Sequence, residues 1–233
     1  MTPIWPMHEK IAVIVAHADD ELLGCGGTIA RLADRGCCID LLVLADGETA
    51  RKGLNQNEQE MLIEKRKDSC RKVASLLGVK NCFFLDLPDN RLDGVNLLDI
   101  TQAVELFLFE HRPSLVITQH SSDLNLDHVI TNRAVMTAVR PVGGHPVCEL
   151  ITFETPSSTE WAFSAAPGFR PDCFVDVSTS FDRKIESLKY YAAEMREAPH
   201  PRSSSNLKAL GKWRGAQSGF YLAEAFETVF RFV

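Results

Sequence analysis

The sequence predicts a single α/β domain of Rossmann-like type, with a doubly wound, mostly parallel sheet and helices on both faces. Three observations lead to this class. Short apolar runs alternate with longer segments of helical period. The first run, IAVIVA at 11–16, has no polar face, as expected of a strand covered on both sides. The length of 233 residues suits one domain, so we expect one domain over residues 1–233.

Four strands alternate with four helices in the first 140 residues. The predicted strands are short apolar runs, at 11–16, 39–45, 81–87 and 114–118. The predicted helices carry apolar residues on one face, at 22–35, 57–77, 96–111 and 127–139. Glycine ends the first two helices and proline follows the other two, at Gly36, Gly78, Pro113 and Pro141. This order requires parallel strands joined by helical crossovers.

Beyond residue 140 the pattern is less regular. We predict strands at 149–153 and 173–177 and a helix at 181–195. The last segment, 224–233, reads as either an edge strand or a helix. The polar stretches 156–159 and 199–206 are predicted to be loops.

Composition excludes several classes of function. The chain has 31 acidic and 25 basic residues and a net charge of −6, which argues against a nucleic-acid partner. No stretch reaches the ~20 apolar residues of a membrane span, and the first residues lack the pattern of a secretory signal. The seven cysteines are scattered and form no CxxC motif, so we expect reduced core thiols in a cytoplasmic protein. Acidic enzymes of this size often self-associate, so the sequence is compatible with a homo-oligomer.

The first polar cluster, HADDE at 17–21, follows the first strand directly. Ligands of open α/β sheets bind beyond the carboxyl ends of the strands, so this is where chemistry is expected. His17 and Asp20 are three residues apart, and in a strand-to-helix turn both can face one point. Acidic residues also favour a helix N-terminus, which is the alternative explanation for the three carboxylates. That explanation does not account for the histidine.

The second polar cluster, HSSDLNLDH at 120–128, follows the fourth strand. It contains two histidines, two aspartates and one asparagine between a strand and a helix. The alternative explanation is a helix N-cap at Asn125 or Asp127 beside an ordinary loop histidine.

Together the two clusters predict a metal site. Both lie at strand exits of one sheet, and His17, Asp20 and His128 supply the two histidines and one carboxylate typical of hydrolytic zinc sites. Asp19 lies beside these residues and could accept a proton from water. Asp127 could orient a ligand imidazole.

The segments AHADDELLGCGGTIARL at 16–32 and HSSDLNLDH at 120–128 resemble the LmbE-like, PIG-L-type zinc-dependent de-N-acetylases. The resemblance implies that His17, Asp20 and His128 ligate Zn²⁺, although Fe²⁺ or Co²⁺ would suit the same ligands. It also implies that Asp19 is the general base, which later returns its proton to the leaving amine.

Two positions depart from the family pattern. Ala18 replaces the usual proline, and Asn125 replaces a histidine often credited with helping at the oxyanion. Asn125 can still donate a hydrogen bond, and His120 or His200 could take over that role.

The activity implied by the resemblance is removal of the N-acetyl group from an N-acetylated amino sugar carried on a nucleotide, lipid or glycoside, by a zinc-bound water. Hydrogen bonds from sugar hydroxyls could be accepted by three residues in the loops after the second and third strands, Asp46, Asp89 and Asn90. Guanidinium groups that could bind a phosphate belong to Arg51, Arg91 and Arg202. The segment PHPRS at 199–203, with His200, resembles a loop of a sugar-modifying branch of the family and could cover the site. Trp161 and Trp213 are predicted to pack in the core rather than on a sugar.

Three other functions are alternatives to deacetylation. A hydratase or lyase acting on a small unsaturated acid would use the same fold and the same metal ligands. A non-catalytic sugar- or nucleotide-binding module is disfavoured, because binding does not require a base at Asp19. A nicotinamide oxidoreductase is disfavoured because GCGG at 24–27 does not complete the pattern G-x-G-x-x-G. We expect these glycines to let a helix pack closely on the sheet, or to admit substrate.

Overall fold

A single seven-stranded sheet forms the centre of the protein, for which a computed structural model describes residues 9–142, 147–163 and 168–233. The strands are β1 (Lys10–Val15), β2 (Cys38–Ala45), β3 (Asn81–Leu87), β4 (Leu115–Gln119), β5 (Glu149–Phe153), β6 (Cys173–Asp176) and β7 (Ala223–Arg231). Their order in the sheet is β3-β2-β1-β4-β5-β7-β6. Strands β1 to β5 are mutually parallel, and β7 runs antiparallel to both of its neighbours. The predicted mostly parallel sheet is therefore confirmed.

Helices cover both faces of this sheet. They are α1 (Asp20–Asp34), α2 (Gln56–Leu77), α3 (Leu97–His111), α4 (Leu126–Ala138), α5 (Phe181–Ser187) and α6 (Ser204–Ser218). Short 3₁₀ turns lie at Leu92–Gly94, Thr159–Trp161 and Leu188–Tyr191. Alternate side chains of β1 point into two separate cores, one shared with α1, α2 and α5 and the other with α3 and α4. This arrangement is the doubly wound fold that the sequence predicts.

The four N-terminal strand–helix pairs lie within a few residues of their predicted positions, whereas the C-terminal part differs. The predicted helix at 181–195 is shorter, with α5 ending at Ser187 and a 3₁₀ turn after it. The last segment forms β7, so the strand alternative is correct, but β7 lies between β5 and β6 and is not an edge strand.

Helix α6 is absent from the sequence prediction for a physical reason. Its buried positions are Leu207, Gly211 and Gly215, so two of the three contact points carry no apolar side chain. A Cβ atom on Gly215 would lie 2.7 Å from the carbonyl oxygen of Phe220. The helix packs through close approach of its backbone. Such a surface has no apolar periodicity, so the sequence pattern does not indicate it.

The glycines of α1 bring that helix onto the sheet. A Cβ atom on Gly24 would lie 2.0 Å from Cδ2 of Phe153, and one on Gly27 would lie 3.0 Å from Cβ of Val177. The close-packing function expected of the GCGG segment is therefore confirmed. Because α1 begins at Asp20, this packing also fixes the polar cluster that follows β1.

We expect Gly24→Ala to lower the free energy of unfolding by about 1–3 kcal/mol, because the added methyl group overlaps the Phe153 ring. Urea unfolding of the purified protein measures the change. Gly94→Ala is the matched control, since a Cβ atom there meets no atom within 4 Å. Similar losses in the two variants would contradict the packing argument.

The cysteines expected in the core differ in burial, since Cys25 and Cys70 are buried whereas Cys148 is exposed. Within the described residues, none of the helices combines the length and apolar character that a membrane span requires.

Candidate metal centre

The sheet brings the two polar clusters together. β1 and β4 are parallel neighbours, with Val13 opposite Ile117, so their carboxyl ends lie side by side. His17 follows β1, and His128 lies in the first turn of α4 beyond β4. Their ring centroids are 5.4 Å apart although 111 positions separate them in the chain.

His17, Asp20 and His128 form a group that can hold a metal ion. All three are buried, and the ligand atoms lie within 4.8 Å of one another. Asp20 Oδ2 lies 3.4 Å from Nδ1 of His17 and 3.3 Å from Nε2 of His128. This is the ligand set predicted from the sequence.

The hydrogen bonding of this group fits a cation. Three atoms of this group are shielded from solvent and make no hydrogen bond with the described residues. They are the two ring nitrogens of His128 and Oδ1 of Asp20. The His128 nitrogens approach Asp20 Oδ2 and Asp123 Oδ1 within 3.3 Å, but without hydrogen-bond geometry. A buried polar atom without a hydrogen bond costs about 1–3 kcal/mol. Coordination of a divalent ion would remove that cost.

The electrostatic environment also favours positive charge. Burial lowers the pKa of His17, but contacts with Asp127, Asp20 and Asp89 outweigh it and hold the pKa well above 6.5. Burial likewise lowers the pKa of His128, while Asp20 and Asp123 raise it to about 9. Burial raises the pKa of Asp20, but the two imidazoles bring it well below 3.8. The surrounding carboxylates therefore stabilise positive charge at both imidazoles, and positive charge is what a bound cation would supply.

Asp127 supports His17 from the side away from Asp20. Its Oδ2 lies 3.1 Å from Nε2 of His17, and its two oxygens also accept hydrogen bonds from the backbone N–H groups of Asn90 and Leu92. Asp89 Oδ1 lies 3.2 Å from the same imidazole nitrogen. These two carboxylates and His17 form a second group of possible ligands. Because the backbone already uses both oxygens of Asp127, this side chain suits orientation of the imidazole better than coordination.

Asp19 lies at the start of α1 with its carboxylate between two arginines. Oδ2 accepts a hydrogen bond from Nη1 of Arg202 at 2.9 Å and lies 3.8 Å from Nη2 of Arg66. Its φ of 142° is strained for a residue other than glycine, and its N–H is fixed by Oε2 of Glu21. Burial raises the pKa of Asp19, and Arg202 and Arg66 lower it in part, leaving it above 3.8. The strained backbone thus holds a carboxylate with an elevated proton affinity.

A cavity of about 280 Å³ opens beside this carboxylate. It is lined by His17, Asp19, Gly47, Ala50, Arg51, Arg66, Asp89, Asn90, Asn125, Glu194 and Arg202. Seven of the residues singled out from the sequence therefore reach one cavity, from the ends of β1, β2, β3 and β4 and from the loop before α6.

Other predicted site residues have different surroundings. Both oxygens of Asp46 are used within its own turn, by the N–H groups of Glu48 and Thr49 and by the Thr49 hydroxyl. His120 lies outside the residues that line the cavity, with Nε2 3.3 Å from Glu227 and its ring against Phe169.

His200 also lies outside the cavity lining. Its Nδ1 accepts the N–H of Arg202, and its ring meets Trp161 edge to face. Arg91 is exposed. The prediction of core packing for the two tryptophans is wrong, because Trp161 is 37% and Trp213 61% exposed.

Arg66 and Glu194 line the cavity but were not singled out from the sequence. Arg66 is one of many charged residues on α2, a helix whose charges read as a solvated face. Glu194 lies in an irregular segment that was predicted to be helical. One signal for Arg66 exists only in three dimensions: a Cβ atom on Gly47, at φ 75°, would lie 2.5 Å from Arg66 Nε. Gly47 therefore makes room for that guanidinium.

Comparison with curated proteins finds deacetylases. The chain is 30% identical to a protein described as an uncharacterized deacetylase of Escherichia coli K12, over 77% of this chain and 88% of the relative. It is 26% identical to a probable N-acetyl-alpha-D-glucosaminyl L-malate deacetylase of Bacillus cereus, over 89% of this chain and 94% of the relative.

The fold is shared with an enzyme of different activity. The crystal structure of a 4-carboxy-2-hydroxymuconate hydratase from Pseudomonas putida KT2440 superposes with a TM-score of 0.74 at 21% identity, covering 97% of this chain and 98% of the hydratase. The fold alone therefore does not decide the reaction. Residues 12–139, which contain both polar clusters, match the family described as PIG-L, GlcNAc-PI de-N-acetylase, and the chain belongs to this family.

Proposed function

We propose that the protein is a metal-dependent N-deacetylase that removes the acetyl group from an N-acetylated amino sugar. The observation that carries this proposal is the buried carboxylate of Asp19, which opens into the cavity beside the metal-binding group. A carboxylate at that place, in contact with two arginines, suits proton transfer to and from a reacting amide. The family membership and the sugar deacetylase among the curated relatives support the same reaction.

His17, Asp20 and His128 are the proposed ligands of the metal ion, and Zn²⁺ is the proposed ion. When bound, such an ion polarises the substrate carbonyl and lowers the pKa of a water molecule. Two histidines and one carboxylate are a usual protein contribution to a catalytic zinc site.

Asp19 is the proposed general base and general acid. Its carboxylate would take a proton from the attacking water and later deliver it to the amide nitrogen, because an amine leaves readily only when it is protonated. The pKa of Asp19 lies above 3.8 because burial raises it, which helps the carboxyl hold the proton between the two steps. Arg202 and Arg66 position the carboxylate within the cavity.

Asn125 is the proposed hydrogen-bond donor to the oxygen that develops negative charge. Its Oδ1 caps α4 by accepting the N–H of Asp127 at 2.9 Å. That bond fixes the plane of the side-chain amide, and Asn125 lines the cavity. Its Nδ2, 3.4 Å from Oδ1 of Asn90, is the group that would donate.

Release of acetate from a panel of N-acetyl sugars by the zinc-loaded protein tests the function. We expect acetate and a free amine in equal amounts from at least one member of the panel. Turnover of unsaturated acids with no acetate from any sugar would instead establish the hydratase alternative.

We expect Asp127→Asn to weaken zinc binding by about 10–100-fold, because the substitution removes the negative charge that orients and polarises His17. Equilibrium dialysis against a zinc buffer measures the affinity. Asp99→Asn is the matched control, since Asp99 also lies in the first turn of a helix but is exposed. Equal affinities in the two variants would remove Asp127 from the proposed support of the metal ligand.

A further inference from the structure

We propose that Glu194 makes the cavity select neutral amino sugars over sugars that carry a phosphate or carboxylate. This inference rests on the proposed function and deepens it, because it specifies the charge class of the substrate. It concerns one wall of the cavity, where three arginines contact three carboxylates. The arginines are Arg51, Arg66 and Arg202, and the carboxylates are those of Asp19, Glu48 and Glu194.

Glu194 joins two of these arginines. Its Oε1 accepts hydrogen bonds from Nη2 of Arg51 at 2.9 Å and from Nη1 of Arg66 at 3.0 Å. These contacts connect Glu194, in the segment after the Leu188–Tyr191 turn, to residues more than 120 positions earlier in the chain. Burial raises the pKa of Glu194, but Arg66 and Arg51 lower it below 4.5, so the carboxylate is ionised at neutral pH.

The other arginine contacts leave little positive charge unbalanced. Glu48 Oε1 accepts from Arg66 at 3.0 Å, and its Oε2 lies 2.5 Å from Nε of Arg51. Arg202 is bound to Asp19 at 2.9 Å. Each guanidinium that lines the cavity is thus in contact with at least one carboxylate.

The charge count of the whole cavity leads to the same conclusion. Its lining contains the guanidinium groups of Arg51, Arg66 and Arg202 and the carboxylates of Asp19, Asp89 and Glu194. Asp20, a member of the adjacent metal-binding group, and Asp127, in contact with His17, supply the negative charge that a divalent ion needs. An anionic substituent in the cavity would therefore have to separate an existing ion pair. Hydroxyl groups of a neutral sugar need only share the lone pairs and N–H groups already present.

Glu194, rather than Glu48, is the residue expected to set this preference. The Glu48 side chain is 7% exposed, and its backbone N–H is held by the turn at Asp46. The Glu194 side chain is 18% exposed, and its partner Arg51 is 48% exposed. A substrate entering from solvent would meet the pair of Arg51 and Glu194 before the more deeply buried Glu48.

The test compares N-acetylglucosamine with N-acetylglucosamine 6-phosphate as substrates of the zinc-loaded protein and of Glu194→Gln. In the wild-type protein we expect kcat/KM to favour the neutral sugar by about tenfold or more. The phosphate has to separate an existing ion pair, and a loss of ~1.4 kcal/mol changes an equilibrium tenfold. In Glu194→Gln this ratio should fall by about tenfold, mainly through KM for the phosphate, because Arg51 loses one of its carboxylate partners. Glu197→Gln, an exposed position of the same segment, is the matched control and should keep the wild-type ratio.

Calorimetric binding of glucosamine and glucosamine 6-phosphate to the same three proteins gives a readout that does not depend on turnover, and it decides the charge preference even without acetate release. Equal ratios in Glu194→Gln and Glu197→Gln, or a wild-type preference for the phosphate, would overturn the inference while leaving deacetylation intact. Absence of acetate from every sugar would overturn the proposed function instead.

Discussion

Replacing Asp19 with asparagine is expected to lower kcat for deacetylation by about 10²–10⁴-fold, the usual contribution of a general acid–base residue. Asparagine has nearly the same shape as aspartate but cannot accept a proton from water or deliver one to the amine. The amide oxygen can still accept the hydrogen bond from Arg202, so the loop should keep its position. Because the two side chains have the same branching, the backbone strain at φ 142° should differ little between the variant and the wild-type protein.

Zinc content, thermal midpoint and turnover of Asp19→Asn together separate loss of the base from loss of structure. Zinc content should match that of the wild-type protein, because Asp19 is not one of the proposed ligands. The thermal midpoint shows how far loss of the charge beside Arg202 and Arg66 changes the stability. Asp86→Asn makes the same chemical change at another aspartate of positive φ, but at an exposed position outside the cavity lining. We expect normal kcat in that control. Near-normal turnover by a zinc-loaded Asp19→Asn would assign proton transfer to another group.

Much of the candidate centre could be predicted from the sequence because its parts are local. Each polar cluster directly follows an apolar strand, and parallel strands end at the same edge of a sheet. Neighbouring positions for β1 and β4 then bring His17 close to His128 without further information. The topology of the sheet thus places the residues of two short segments in one group that could hold a metal ion.

The cavity wall formed by Arg66 and Glu194 could not be predicted in this way. Arg66 reaches the cavity from the middle of α2, and Glu194 reaches it from an irregular segment, so neither is marked by a strand exit. Their interaction depends on how α2 and the chain after α5 pack against each other, which is a tertiary property. Asp46 shows the opposite case: it follows β2 as expected of a ligand-binding residue, yet its own turn uses both oxygens. The position of a residue at a strand end therefore indicates a candidate for ligand binding, but it does not show what the polar atoms of that residue bind.

His128→Ala is expected to abolish binding of about one zinc ion per chain and with it the stabilisation that zinc confers. For the wild-type protein, free zinc at 100 times its dissociation constant should add about 2.7 kcal/mol to the free energy of unfolding. The variant should gain little, because only His17 and Asp20 of the proposed ligand set remain. Metal analysis after gel filtration and thermal unfolding with and without zinc give two readouts independent of activity.

The contribution of His128 to the free energy of unfolding also depends on whether zinc is bound. Without zinc, His128→Ala loses the contacts of the ring with Asp20 and Asp123, and with zinc it also loses a ligand of the ion. The loss of stability in His128→Ala should therefore be larger with zinc than without it. His111→Ala is the control, because His111 is also paired with a buried aspartate, Asp40. This pair lies near the amino-terminal end of β2, away from the candidate metal centre. The loss of stability in this variant should therefore be the same with and without zinc. If His128→Ala lost the same stability with and without zinc, the ring would contribute packing alone and the metal centre would have to be sought elsewhere.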